Sequence, residues 1–138
     1  MVNYRALIGR QWDYGRSDCF SLVREWFSLK GVAIPDFDRP ADLDSCESLF
    51  LAEAEACGFF QVEFDRRRPG DVLIMRLGTM APMHAAIVLE NEQILHQRQD
   101  SLSAVEPLRQ YYVSRVAAVF RHDSDRQVAG GAGPALWS

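Results

Sequence analysis

Asp18-Cys19-Phe20-Ser21-Leu22-Val23 is the stretch whose reading decides the fold, because it puts a cysteine in the first turn of an amphipathic helix. Ser17 or Asp18 supplies the cap. Cys19, Leu22, Val23, Trp26 and Phe27 recur at helical spacing, giving an apolar stripe that needs a sheet to cover it. Lys30 in the last turn and Gly31 just beyond it end the helix, which is expected over about residues 18–30. A thiol at that end faces unpaired N–H groups and the positive pole of the helix dipole, and cysteines so placed can titrate at roughly 3.5–7.5. Read on its own, Cys19 is equally a small buried hydrophobe, since free cysteine is among the most buried residue types.

Upstream, Trp12-Asp13-Tyr14-Gly15 ends in a glycine turn that can swing Tyr14 back towards the thiol, where its phenol could donate to a reacting oxygen; the competing reading is a core aromatic. Downstream, residues 32–40 carry the turn chemistry of a surface loop. A second helix is expected over about 44–57, capped by Asp44 and Glu47, with Cys46 and Cys57 on its apolar face as core residues before Gly58.

From residue 60 the period changes from helical to alternating. Strands are expected at 60–64, 72–75, 84–89, 93–97 and 116–120, with a turn at Arg67-Arg68-Pro69-Gly70-Asp71; residues 101–115 have no clear period. The run His84-Ala85-Ala86-Ile87-Val88-Leu89 and the returning Gln93-Ile94-Leu95-His96 form a hairpin whose parity matters. A three-residue loop pairs Leu89 with Gln93, sets His96 opposite Ala86 and makes His84 and His96 diagonal neighbours on one face. A two-residue loop puts them on opposite faces. The sequence leaves both registers open.

The chain has 138 residues, 48% hydrophobic and 25% charged, which suits one domain able to bury its own core. The expected division is a domain at 1–122 and a flexible tail at 123–138, whose Leu136-Trp137 could dock on a partner. The net charge of −4 lacks the basic field that a phosphate backbone requires, so nucleic acid is not an expected partner. No stretch approaches the roughly 20 apolar residues of a membrane span, and the N-terminus is too polar for a signal peptide. Three cysteines without C-x-x-C spacing argue against a disulfide framework or a structural zinc cage.

Two constellations carry chemistry. In one, Cys19 is a nucleophile, His84 its base and acid, and His96 the group orienting His84; in the other, the same three residues bind a metal with one position open to water. The second has no carboxylate or further thiol at ligand spacing, so no metal or cofactor is expected.

The runs Trp12-Asp13-Tyr14-Gly15-Arg16-Ser17-Asp18-Cys19-Phe20-Ser21-Leu22-Val23, Arg68-Pro69-Gly70-Asp71-Val72-Leu73, His84-Ala85-Ala86-Ile87-Val88-Leu89 and Ile94-Leu95-His96, in this order, resemble the NlpC-type cysteine peptidases, and within them the branch found in tailed phages. The resemblance implies a papain-like α+β fold, with the nucleophile helix packed on an antiparallel sheet, and hydrolysis of peptidoglycan stem peptides. It implies Cys19 as nucleophile, His84 as base, His96 as third polar member, Tyr14 beside the nucleophile and the Cys19 N–H as oxyanion donor. It further implies other tail-tip proteins as partners and a place in the virion tail tip. The protein would be made in the host cytoplasm and act in the periplasm or cell wall. Phe20-Ser21 stands where many bacterial relatives carry Ser-Gly, a difference that bears on the substrate groove. Two other classes stay open: a structural tail-tip subunit without activity, and a Cys-His amidase or acyltransferase on the same scaffold.

Overall fold

The computed structural model describes residues 2–39, 49–79 and 81–126. The fold is α+β: three helices, α1 (Cys19–Leu29), α2 (Leu49–Glu53) and α3 (Gln110–Val113), lie with an antiparallel sheet of six strands among the described residues. These are β1 (Phe59–Val62), β2 (Val72–Met75), β3 (His84–Leu89), β4 (Gln93–His96), β5 (Ala104–Pro107) and β6 (Val116–His122), in the spatial order β1-β6-β2-β3-β4-β5.

α1 forms where the periodicity places it. Asp18 is its cap, accepting from the Ser21 N–H at 3.0 Å, and Gly31, at φ +80°, closes the far end as the Val32 N–H reaches back to the Phe27 carbonyl at 2.9 Å. Phe20, Leu22, Val23, Trp26 and Phe27 are buried against the sheet face carrying Ile74, Ala85, Ile87 and Leu95. Phe27 is wholly enclosed, so its truncation to alanine costs about 3–5 kcal/mol. The opposite face, with Leu73, Met75, Ala86, Val88 and Ile94, is covered by Tyr112 of α3. β3 is buried along its whole length, as a strand between two covered faces must be.

The hairpin takes the three-residue register. Leu89 pairs with Gln93 and His96 lies opposite Ala86, with Asn91 and Glu92 at φ +62° and +55° turning the chain. Asp71 closes the Pro-Gly-Asp turn by accepting the Arg68 N–H at 2.8 Å, and Arg121 ties that turn to β6 through Nε at 2.9 Å and Nη2 at 2.8 Å.

Four expectations need correction. The helix expected at 44–57 is assigned only over Leu49–Glu53; residues 40–48, with Cys46, lie outside the described residues. The chain beyond Glu53 is a turn closed by Gly58 at φ +90°, because the Phe59 N–H doubles back to the Ala54 carbonyl at 3.0 Å. A Cβ at Gly58 would stand 2.8 Å from His122 Nε2. Cys57 is core, its thiol donating to the Pro35 carbonyl at 3.7 Å. β1 begins and ends earlier than expected, since Phe64–Arg66 is a 3₁₀ turn. Residues 101–115, without period in sequence, contain β5 and α3. β6 runs to His122, and Asp123–Asp125 form a 3₁₀ turn pinned by the Lys30–Asp125 ion pair at 2.6 Å; residues 127–138, with Leu136-Trp137, lie outside the described residues. Among the described residues no helix is long and apolar enough to cross a membrane.

Candidate active site

The sulfur of Cys19 sits at the junction of α1 and β3. Its thiol donates to the Met83 carbonyl at 3.6 Å, so the backbone next to His84 holds it. Cys19 and His84 line one cleft of about 190 Å³, together with Trp12, Tyr14, Arg39 and Arg98. Tyr14 is half-buried in the wall of that cleft and stacks on Trp12 with ring centroids 5.9 Å apart; Gly15, at φ +84°, makes the turn that brings it there. Burial, then the neighbouring Asp18 carboxylate, raises the Tyr14 phenol's pKa.

Behind the cleft the histidines form a chain. His84 Nε2 is 2.8 Å from His96 Nδ1, and His96 Nε2 is 2.6 Å from Glu106 Oε2. His84 thus keeps Nδ1 as the ring nitrogen not committed to His96. His96 is 1% exposed, so it meets His84 and not the cleft. Its ring meets Tyr112 edge-on at 5.1 Å, and the Tyr112 hydroxyl donates to Glu106 at 3.0 Å.

The electrostatics correct one expectation. Burial, and then the Asp18 carboxylate next to it, pushes the Cys19 thiol up to about 12. Burial, then His96 and Arg98, pushes His84 down to about 3. Desolvation of the charged form outweighs the helix N-terminus, so the resting pair is a neutral thiol and a neutral imidazole rather than a thiolate.

Asp18 is 3% exposed and fully engaged. It accepts from the Gly15 N–H at 2.9 Å, from the Ser21 N–H and hydroxyl at 3.0 and 2.9 Å, and from Arg39 Nε and Nη2 at 3.0 and 3.1 Å. Burial alone would raise its pKa, but the Arg39 guanidinium and the N–H donors outweigh burial and hold it below the ordinary value. Arg39 also bonds Asp36 and the Phe37 carbonyl, fastening the 32–39 loop over the start of α1.

Cys19, His84 and Tyr14 therefore share the cleft, with His96 directly behind. Arg39, Glu106 and Tyr112 were not expected here. A signal for Glu106 exists: if the hairpin continues into a third strand, Ala104 falls opposite His96, and Glu106 shares its face two residues on. Among the described residues no group of three or more His, Cys, Asp or Glu is arranged to hold a metal.

The NlpC/P60 family matches residues 9–121. The chain is 35% identical over 124 residues to the tail tip assembly protein K of Escherichia phage lambda, covering 89% of this chain and 62% of that protein. It is 30% identical over 125 residues to its namesake from Escherichia phage N15, covering 87% and 51%. The chain thus spans between half and two thirds of the length of these curated relatives. In structure it is similar to an NLP/P60-family lipoprotein-like protein of Staphylococcus aureus, with a TM-score of 0.60 at 16% identity over 85% of this chain and 38% of that one. NlpC1 of Trichomonas vaginalis gives a TM-score of 0.58 at 17% identity, over 86% and 41%. With the family model matched over residues 9–121, this chain belongs to the NlpC/P60 family.

Proposed function

We propose that the protein is a cysteine peptidase of a phage tail tip that hydrolyses peptide bonds in peptidoglycan stems. The observation that carries this reading is the sulfur of Cys19 bonded to the Met83 carbonyl, next to His84, which lines the same cleft and is backed by His96. In the first step the Cys19 sulfur bonds to the scissile carbonyl carbon while its proton passes to His84. His84 then gives that proton to the leaving amine as the C–N bond breaks. Water, deprotonated by His84, attacks the thioester; the C–S bond breaks and the proton returns to sulfur. On this reading the Cys19 N–H, first in α1 and without an acceptor inside the helix, binds the developing oxyanion, and Tyr14, which lines the same cleft, is the second donor. The tail-tip setting rests on the phage relatives, and other tail proteins are its expected partners. On this reading the site needs no metal, and the protein acts outside the host cytoplasm.

The test is cleavage of purified stem peptides followed by mass spectrometry. Cys19→Ala and His84→Ala abolish cleavage, whereas His96→Ala leaves a measurable rate, because water can partly replace an orienting group. Folded Cys19→Ala that cleaves as fast as the parent overturns the peptidase reading and leaves a structural tail-tip subunit. Transfer of the acyl group to an added amine in preference to water identifies an acyltransferase instead. Absence of the protein from purified virions and tail-assembly intermediates counts against the location.

A further inference from the structure

We propose that Glu106 is a positioning residue that fixes the order of protons along the two histidines, and thereby leaves Nδ1 of His84 as the bare nitrogen that takes the proton of Cys19. The argument is one of donors and acceptors. An ionised carboxylate can only accept, so His96 Nε2, 2.6 Å from Glu106 Oε2, carries a hydrogen. In a neutral imidazole the other nitrogen is then an acceptor, and His96 Nδ1 takes its hydrogen bond from His84 Nε2 at 2.8 Å. His84, with its hydrogen on Nε2, has its lone pair on Nδ1. Reversing the first link reverses every other link, and Nδ1 of His84 would then carry a hydrogen and have no room for a second.

Three neighbours hold Glu106 in the accepting state. Arg109 Nη2 donates to Oε1 at 2.8 Å, and the Tyr112 hydroxyl lies 3.1 Å from Oε1 and 3.0 Å from Oε2. Burial would raise the carboxyl pKa, but the bonds from His96 and Tyr112 outweigh it, so Glu106 is lowered and ionised at neutral pH. His96 stays neutral because burial, set against Glu106 and with Arg98 and Arg109 adding to it, lowers its pKa. The charged and titratable groups facing the pair are therefore Cys19 from α1, Arg98 beyond β4, Glu106 from β5, and Arg109 and Tyr112 around α3. Arg98 and Arg109 disfavour a second proton on the rings, and Glu106 is the group among these that favours one when His84 becomes imidazolium.

Glutamine at 106 separates polarity from shape. Arg109 and Tyr112 need an acceptor, so the amide oxygen turns to them and the NH₂ turns to His96, which inverts the relay. Aspartate keeps the polarity with a shorter reach.

This inference rests on the peptidase reading only for its use in catalysis, and the experiment reads the pair without substrate. Two-bond ¹H–¹⁵N spectra of the full chain give the protonated nitrogen of each ring. Alkylation of Cys19 by iodoacetamide, followed on its own peptide across pH, reports the base. The expected result is Nε2–H on both His84 and His96 in the parent. Glu106→Gln places a hydrogen on Nδ1 of His84 and slows alkylation about tenfold or more near neutral pH, while Glu106→Asp keeps the parent tautomer and most of the rate. An Nδ1–H on His84 in the parent overturns the proposal, and that measurement needs no variant. So does a folded Glu106→Gln protein with unchanged tautomers and an unchanged pH profile. Loss of stem-peptide cleavage with these tautomers intact would instead sink the peptidase reading alone.

Discussion

Two carboxylates support the two halves of the site, and they do so in opposite ways. Asp18, beside Cys19, is enclosed and takes hydrogen bonds from two backbone N–H groups, a hydroxyl and both reachable arms of Arg39. Glu106, behind the two histidines, keeps 28% of its side chain exposed, and its cation Arg109 is 56% exposed. The first pair is buried and geometrically complete; the second is open to water on its far side. The same ion-pair chemistry should therefore be worth very different amounts. The difference teaches that the surroundings of Cys19 are fixed by a buried ion pair, whereas those of His84 are fixed by a chain of hydrogen bonds that ends at water.

The largest expected effect is at Asp18. Asp18→Ala removes the cap of α1 and takes from the Arg39 guanidinium, 6% exposed, its buried carboxylate, leaving it only the exposed Asp36 and the Phe37 carbonyl, for a loss of about 3 kcal/mol in urea unfolding. Asp18→Asn, which still caps, should lose less. A loss below about 1 kcal/mol for the alanine variant would erase the contrast, because Arg39 would then be finding water as easily as Arg109 does.

Next comes acid. His84 has its pKa pushed from 6.5 in the unfolded chain down to about 3, so between those values the unfolded state binds more protons and stability falls as pH falls. The contribution of this one group has a slope of up to about 1.4 kcal/mol per pH unit below the unfolded value. Unfolding measured from pH 7 to pH 4 should show a shallower fall in His84→Gln than in the parent. Equal slopes would mean that His84 is solvated rather than enclosed.

Tyr112→Phe tests the support of Glu106 at its better-covered side. It removes the hydroxyl that donates to the carboxylate and is expected to cost about 1.5 kcal/mol by thermal or urea unfolding. Smallest is Arg109→Ala, an exposed pair three residues apart, at about 0.5 kcal/mol or less. Should Arg109→Ala match Asp18→Ala, the comparison between the two carboxylates is wrong.

The half of the site built on α1 was readable in the sequence, and the half behind His96 only in part. Cys19 could be placed because a capped helix has a 3.6-residue period with defined ends, and Gly31 marks its stop in left-handed backbone. For His84 and His96 the sequence narrowed the hairpin to two parities, and only the fold selects the one that puts them on one face. Glu106 was legible only to a reader who assumed a third strand, because β5 is four residues long, lies at the sheet edge and ends in Pro107, giving no alternation long enough to announce itself. Arg39 escaped because its partner is 21 residues away and no local pattern records a buried ion pair. The neutral thiol escaped for a different reason. A helix N-terminus is a property of sequence, but desolvation belongs to the assembled fold, and here it dominates.

The three-residue connection between β3 and β4 has a consequence for how such a chain can vary. The face a residue takes is set by the residue it pairs with, so a change of tip length that keeps Leu89 opposite Gln93 keeps His96 beside His84, whereas a slip of β4 by one residue against β3 turns His96 to the opposite face and strands Glu106 without its imidazole, although no site residue has changed. A lineage of such chains can therefore lengthen this tip and keep its histidine pair, while a change that lets β4 slip by one residue is as damaging as losing His96 itself.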